Sequence, residues 1–236
     1  MSLKAVTYCK QYRRANVHTV GCNFKCKGCP YNSNKESMHQ ELGIEQVKNA
    51  LKSLNVKWVH FVGGEPTLCQ NIGTIATFCH EELGVKTKIG HSMAWNMPPD
   101  DIDAMHITIK AYSDKIHKEY TGVSNSRVLD HFGRIYDQGI TVTANTVFIP
   151  NLIDADEVEN IARFIAEVDP QIPFHIIGYM PVQGMPWRSP DQREMKDVKQ
   201  TAEKYLEKVT TSCFQSLNEY HQKVKENPVY QSIRVA

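Results

Sequence analysis

No apolar run in the 236 residues approaches the ~18 needed to cross a membrane. The N-terminus, MSLKAVTYCKQYRR, lacks the apolar stretch of about 7–15 residues that a secretion signal requires. Charge of one sign is missing too. Lys and Arg number 27 against 26 Asp and Glu, so there is no global pull toward nucleic acid or an anionic membrane. The one basic run, Lys10 to Arg14, reads as a solvated N-terminal segment. There is no Gly/Ser linker, internal repeat or low-complexity tract. One domain over 1–236 is expected, with a core at about 16–206 and a helical cover at 190–236. With neither signal nor span, the expected location is the cytoplasm, where a disulfide framework is not expected.

Hydrophobic residues make up 41% of the chain, enough for a sizeable core without staples. Apolar runs alternate with helical patterns. Strands are predicted at 16–21, 58–62, 85–90, 106–110, 140–149 and 173–180. Helices are predicted at 44–54, 72–83, 113–120, 126–138 and 154–168. A long helix is predicted from Pro190, with Met195, Val198, Ala202, Tyr205, Leu206 and Val209 on one face. Asp154 followed by Glu157 gives the fifth helix a capping-box-like start. Such alternation implies an α/β fold with a parallel sheet and right-handed crossovers. Six units are too few for a closed eight-stranded barrel, so a partial (β/α)6 barrel is expected. Its chemistry belongs at the C-terminal ends of the strands.

The first such end carries GCNFKCKGCP, Gly21 to Pro30, which holds three of the seven cysteines. Cys22, Cys26 and Cys29 have C-x3-C-x2-C spacing. A structural zinc site usually takes four protein ligands. Three thiolates on one tight loop suit a [4Fe–4S] cluster that leaves one iron open. A zinc knuckle completed by His18 or His39, and plain buried thiols, are the other readings of the triplet. Cys9, Cys69, Cys79 and Cys213 match no ligand spacing and read as core thiols.

The second strand end carries GGEP: Gly63, Gly64, Glu65 and Pro66. Paired glycines permit close backbone approach to a ligand. Glu65 can orient the loop or accept from an amine.

Together the two motifs resemble those of the radical S-adenosylmethionine (radical SAM) enzymes. The resemblance implies that Cys22, Cys26 and Cys29 hold a [4Fe–4S] cluster whose open iron is chelated by S-adenosyl-L-methionine. The Gly63–Gly64–Glu65 backbone would meet the methionine amino group. The reduced cluster would cleave SAM to methionine and a 5′-deoxyadenosyl radical, which abstracts hydrogen. The electron implies a flavodoxin or ferredoxin partner, and the open iron implies oxygen lability and an anaerobic setting.

The likeness extends over roughly Val17 to Leu206. Ile109 to Phe132, and FIPN (Phe148 to Asn151) paired with YMPVQGMPW (Tyr179 to Trp187), are similar to stretches of the pyruvate formate-lyase activating enzymes. These act on a glycine of a partner protein. CKGCPYN (Cys26 to Asn32) also resembles the shorter activases of anaerobic ribonucleotide reductase.

Strand alternation puts His106, Thr108 and Lys110 on one face, and Thr141, Thr143 and Asn145 on another. Both faces are polar, as a SAM-binding lumen would be. Lys110 and Asn145 are the candidate catalytic residues, Lys110 to meet a carboxylate and Asn145 a ribose or carboxylate. Both, with Thr108 and Ser92, are also candidate cofactor contacts. His60 and His106 are candidates to face the lumen, and His91 lies in a loop that contacts SAM in this superfamily. Trp187 is read either as a substrate rim or as packing on the final helix.

Three departures from the activases stand out. Thr108 replaces the Asp of an Asp-x-Lys, Asn145 falls where they carry Arg, and Met180 falls near a His. Two substrate readings therefore stand: a glycyl-radical enzyme or peptide, and a small molecule in cofactor or metabolite synthesis. A non-catalytic metal-binding module is the remaining alternative.

Overall fold

The computed structural model describes residues 1–29, 41–214, 216–227 and 231–236. Nine strands form one open sheet. In chain order, β1 is Ser2–Cys9, β2 Arg14–Val20, β3 Trp58–Val62, β4 Lys86–Ser92 and β5 Ala104–Thr108. β6 is Thr141–Phe148, β7 Phe174–Gly178, β8 Val209–Ser212 and β9 Ile233–Arg234. Their spatial order is β8-β7-β6-β5-β4-β3-β2-β1-β9, so the two ends of the sheet do not pair. β2 to β8 run parallel, and β1 pairs antiparallel with both β2 and β9.

The six expected parallel strands are β2 to β7, and the sheet is the open, partial barrel that was expected. The ends of the chain differ from expectation. A strand that was not predicted, β1, buries Leu3, Val6 and Cys9, whereas the basic run that follows is exposed at 10–13 as expected. The helix from Pro190 is shorter than its pattern. It closes at Ala202, Tyr205 and Leu206 fall in the turn that follows, and Val209 opens β8. Pairing Phe174 to Ile177 with Val209 to Ser212 wins over the local helical spacing.

The helices are α1 Ile44–Lys52, α2 Asn71–Glu81, α3 Asp114–Thr121, α4 Ser126–Asp137, α5 Ala155–Val168, α6 Gln192–Ala202 and α7 Leu217–Glu226. Ends are set by local chemistry. Asp191 and Glu194 make a reciprocal capping box on α6. α3 stops at Gly122, whose φ of 83° is the left-handed cap that glycine adopts freely. Asp154 accepts from the Glu157 amide to cap α5, but the box is not reciprocal. The buried Glu157 carboxylate instead accepts from the Tyr112 and Ser113 amides, at 2.8 and 3.0 Å, pinning the loop after β5.

One face of each parallel strand is apolar. Val17, Phe61, Ile89, Ile107, Ala144 and Ile176 point out to Leu51, Ile75, Phe132, Ile135, Ile161 and Ile165 of the helices. Burying each large side chain stabilises by about 1.5–3 kcal/mol. The alternate positions point into the lumen, which is why the lumen is polar. No helix among the described residues is long and apolar enough to cross a membrane.

Candidate active site at the mouth of the partial barrel

The cysteine loop leaves β2 and lies over the end of the barrel. It is held by the Lys25 amide to Thr121 O (2.8 Å) and the Lys27 amide to Tyr120 O (3.0 Å). Gly28 is needed there, because a Cβ would stand 2.5 Å from the Tyr120 hydroxyl and 2.8 Å from the Tyr179 ring. Beneath it Phe24, Cys26, Met93, Tyr120, Ile149 and Tyr179 form an apolar cluster separate from the main core. This cluster shields the loop's inner side from water. The 148–151 and 179–187 segments meet here, through the Tyr179 amide to Phe148 O at 3.0 Å. Trp187 stacks at the edges of Tyr120 and Tyr179, 5.9 and 6.0 Å between centroids, so it buttresses the cysteine loop rather than the final helix.

Cys22 is exposed, Cys29 half-buried and Cys26 buried. Although much of Cys22 is open to solvent, desolvation around its sulfur raises the thiol to about 11, against a lowering hydrogen bond from the Phe24 backbone and with further upward pushes from Glu65, Cys26 and Cys29. Burial also raises Cys26, against a downward pull from Lys110. Three thiols close enough to oppose one another's ionisation need a cation to hold them as thiolates. An iron–sulfur cluster supplies that cation and spreads the thiolates over separate irons, so this donor set fits one. Among the described residues, no three His, Cys, Asp or Glu side chains gather tightly enough for a single ion. Of the histidines considered for a zinc knuckle, His18 pairs with Thr7 Oγ1 at 3.0 Å. His39 lies outside the described residues. Cys69 and Cys79 are buried in the main core.

GGEP follows β3 directly, and its glycines answer to the neighbouring strand. Gly63 and Gly64 have φ of 92° and 56°. A Cβ on Gly63 would stand 2.6 Å from Thr19 O, and one on Gly64 2.1 Å from Gly21 O. The Glu65 amide donates to that same Gly21 O at 3.0 Å. Close approach is therefore to the start of the cysteine loop. The Glu65 carboxylate, 2% exposed, orients the loop. Oε1 accepts from Thr67 N (3.2 Å), Thr67 Oγ1 (2.6 Å) and Ser92 Oγ (2.6 Å), and Oε2 from Met93 N (2.8 Å). Pro66 opens a single 3-10 turn behind it. Ser92 is fully buried, and its oxygen also accepts from Ala94 N at 2.8 Å. Its hydroxyl serves the loop from behind.

Thr108 ends β5 in register with Asn145 on β6. Lys110 lies two residues past the strand, half-buried and near enough to Cys26 and His91 to act on both. Asn145 is 1% exposed and donates to two histidines, His106 Nε2 at 2.6 Å and His91 Nδ1 at 3.3 Å. Both amide hydrogens are thereby used, and each ring nitrogen so contacted is an acceptor. The proton of neutral His106 then sits on Nδ1 and bonds Thr143 Oγ1 at 2.6 Å, while that of His91 sits on Nε2. Burial is the largest cause that lowers His106 to about 3 and His91 to about 4, which keeps both rings neutral. Asn145 Oδ1 is buried with no partner among the described residues.

His91 is the residue whose placement spacing could not reveal. Strict alternation from Lys88 would turn it outward. The β4 register instead shifts between Ile89 and Ser92, and His91 takes a left-handed φ of 54°. The bulge turns the imidazole into the open lumen and Ser92 onto Glu65. Only glycine adopts such a φ without cost, so the sequence around His91 carries no signal for it.

A family model described as the Radical SAM superfamily matches residues 16–165, well over half of the chain. A Methanocaldococcus jannaschii protein, provisionally named a glycyl-radical enzyme activating enzyme, is 31% identical over 82% of this chain and 78% of its own length. A second M. jannaschii protein of the same provisional name is 24% identical over 89% of this chain and 92% of its own. Among solved structures, a domain of the pyruvate-formate lyase-activating enzyme of Bacteroides vulgatus superposes with a TM-score of 0.54 at 19% identity. It covers 65% of this chain and 98% of that domain. SuiB of Streptococcus suis, bound to S-adenosylmethionine, superposes with a TM-score of 0.65 at 19% identity, over 82% of this chain and 48% of SuiB. The present chain thus matches about half of SuiB, and at these identities the likeness is one of fold.

Proposed function

Because the chain belongs to the radical SAM superfamily, enzymes that work with a [4Fe–4S] cluster and S-adenosylmethionine, we propose that it reductively cleaves SAM to abstract a hydrogen atom from a substrate at the barrel mouth. The observation that carries this reading is the backbone contact between GGEP and the cysteine loop, Glu65 N to Gly21 O. It ties the loop that bears the thiol triplet to the residues that follow β3. Cys22, Cys26 and Cys29 would hold the cluster, which when bound and reduced supplies the electron that splits the sulfonium. The Gly63–Glu65 backbone would accept from the methionine amino group, with Glu65 and Ser92 fixing its shape. Lys110 would receive a carboxylate, and Asn145 Oδ1, buried with no partner among the described residues, would accept from the cofactor. Thr108 stands beside Asn145 in the lumen layer. The apolar cluster under the loop excludes water from the radical's surroundings.

The activase reading, with a glycine of a partner protein as target and a flavodoxin or ferredoxin as donor, draws support from the provisional names of the two archaeal relatives. A small-molecule substrate is the second reading. It is favoured by a lumen lined with imidazoles and cations, where a backbone glycine would find little to pair with. The test is anaerobic reconstitution with iron and sulfide, then dithionite and SAM, with 5′-deoxyadenosine and methionine quantified by mass spectrometry. Formation of 5′-deoxyadenosine is expected. A protein that binds zinc and forms no cluster would overturn the reading.

A further inference from the structure

Below the mouth, the charged side chains that act on the lumen imidazoles of β3 and β4 are, among the described residues, all basic. His60 on β3 and Lys88 on β4 are register partners on adjacent parallel strands, so they stand about 4.8 Å apart along the sheet. Asn145 holds His91 with its Nε2–H free to donate into the same space. Among the described residues, every charged or titratable neighbour that acts on these rings is a cation or another imidazole. For His60 these are Lys88, Arg14 and His91, and for His91 they are Lys110, Lys88 and His175. Lys88 itself feels Arg14. Among the described residues no carboxylate pairs with Lys88 or Lys110, and unlike an unpaired surface lysine Lys88 is half-buried, with burial the first cause that lowers it. Part-burying the Lys88 ammonium with no carboxylate paired to it among the described residues is destabilising, and an anion from outside relieves it. The bulge at His91, a non-glycine residue at positive φ, adds a donor to this one spot.

We propose that Lys88, His60 and His91 bind the anionic group, phosphate or carboxylate, of a small-molecule substrate held in the lumen beneath SAM. The proposal rests on the radical SAM reading, whose chemistry at the mouth would act on the far end of such a molecule. Imidazole N–H groups flanking an ammonium suit an acceptor-only ligand, and they offer nothing specific to an uncharged glycine loop.

Equilibrium dialysis of the cluster-reconstituted protein, under nitrogen and in phosphate-free buffer, tests it. Radiolabelled inorganic phosphate and radiolabelled succinate are the two probes, and the better-bound one tells the group's chemistry. One saturable site is expected, with binding undiminished by saturating SAM. Lys88→Met should weaken it about ten- to hundredfold. Lys88→Arg should retain it within a few-fold, which separates lost charge from lost fold. Failure of both probes to saturate would overturn the proposal, as would unaltered binding in Lys88→Met. Displacement by SAM would overturn it too, assigning the cations to SAM's own carboxylate. Wild-type 5′-deoxyadenosine formation is measured alongside. Cleavage without anion binding removes this proposal alone, and zinc binding with no cluster formed removes the function on which it rests.

Discussion

The Ser92 hydroxyl donates to the Glu65 carboxylate at 2.6 Å, joining the last residue of β4 to the loop that ends β3. That carboxylate has four donors and no charged partner among them. Glu65→Gln turns one of its acceptor ends into a donor facing donors. It should lower unfolding free energy by about 2 kcal/mol and weaken SAM binding, as read by denaturant melts and calorimetry.

Gly64→Ala meets two obstacles at once, a positive φ and a carbonyl oxygen 2.1 Å from the new methyl. The clash lands on Gly21, next to Cys22. Loss of at least about 2 kcal/mol of stability is expected, with iron content after reconstitution falling well below wild type. Gly84→Ala, which has open space but the same sign of φ, should cost about 1 kcal/mol and leave the iron content alone.

Cys26→Ala should abolish both the brown absorbance of the reconstituted protein and 5′-deoxyadenosine formation. Air exposure of the wild type should do the same over time. Persistence of SAM cleavage in the variant would exclude the cluster as its source.

Asn145→Asp replaces a double donor by an acceptor between His91 and His106. Both rings should then take up protons to satisfy it. Histidine titrations followed by NMR should move upward from the folded-state values of about 4 and about 3.

His60 and His106 are both lowered to about 3, chiefly by burial. In the unfolded chain they titrate near ~6.5. Between those values the unfolded state binds more protons, so stability is full above about pH 6.5 and declines as pH falls toward 3. The slope is at most ~1.4 kcal/mol per pH unit for each ring, less because both are only part-buried. Melts of His106→Gln across this range should be flatter than wild type by that ring's share.

The barrel was legible because the apolar runs of β2 to β7 alternate with helical patterns, and because β5 and β6 each show one polar face. The cysteine triplet and GGEP were legible because their chemistry is local. β1 was not predicted because its lysine and threonine positions mask Leu3 and Val6, which are buried by β2 and by the C-terminal residues. β8 was hidden in a helical pattern because its stabilising partner, β7, lies far away in sequence. His91 was named but misplaced in a loop. A bulge is a contest between neighbouring strands, and spacing within one strand does not record it.

The carbonyls of Thr19 and Gly21 stand where side chains on Gly63 and Gly64 would be. Anyone moving this site to another scaffold, or recombining it between relatives, would have to carry the two loops and both strands as one cassette. A crossover point between Val20 and Gly63 would pair each loop with a stranger's backbone, and functional chimaeras should break on either side of that interval rather than inside it.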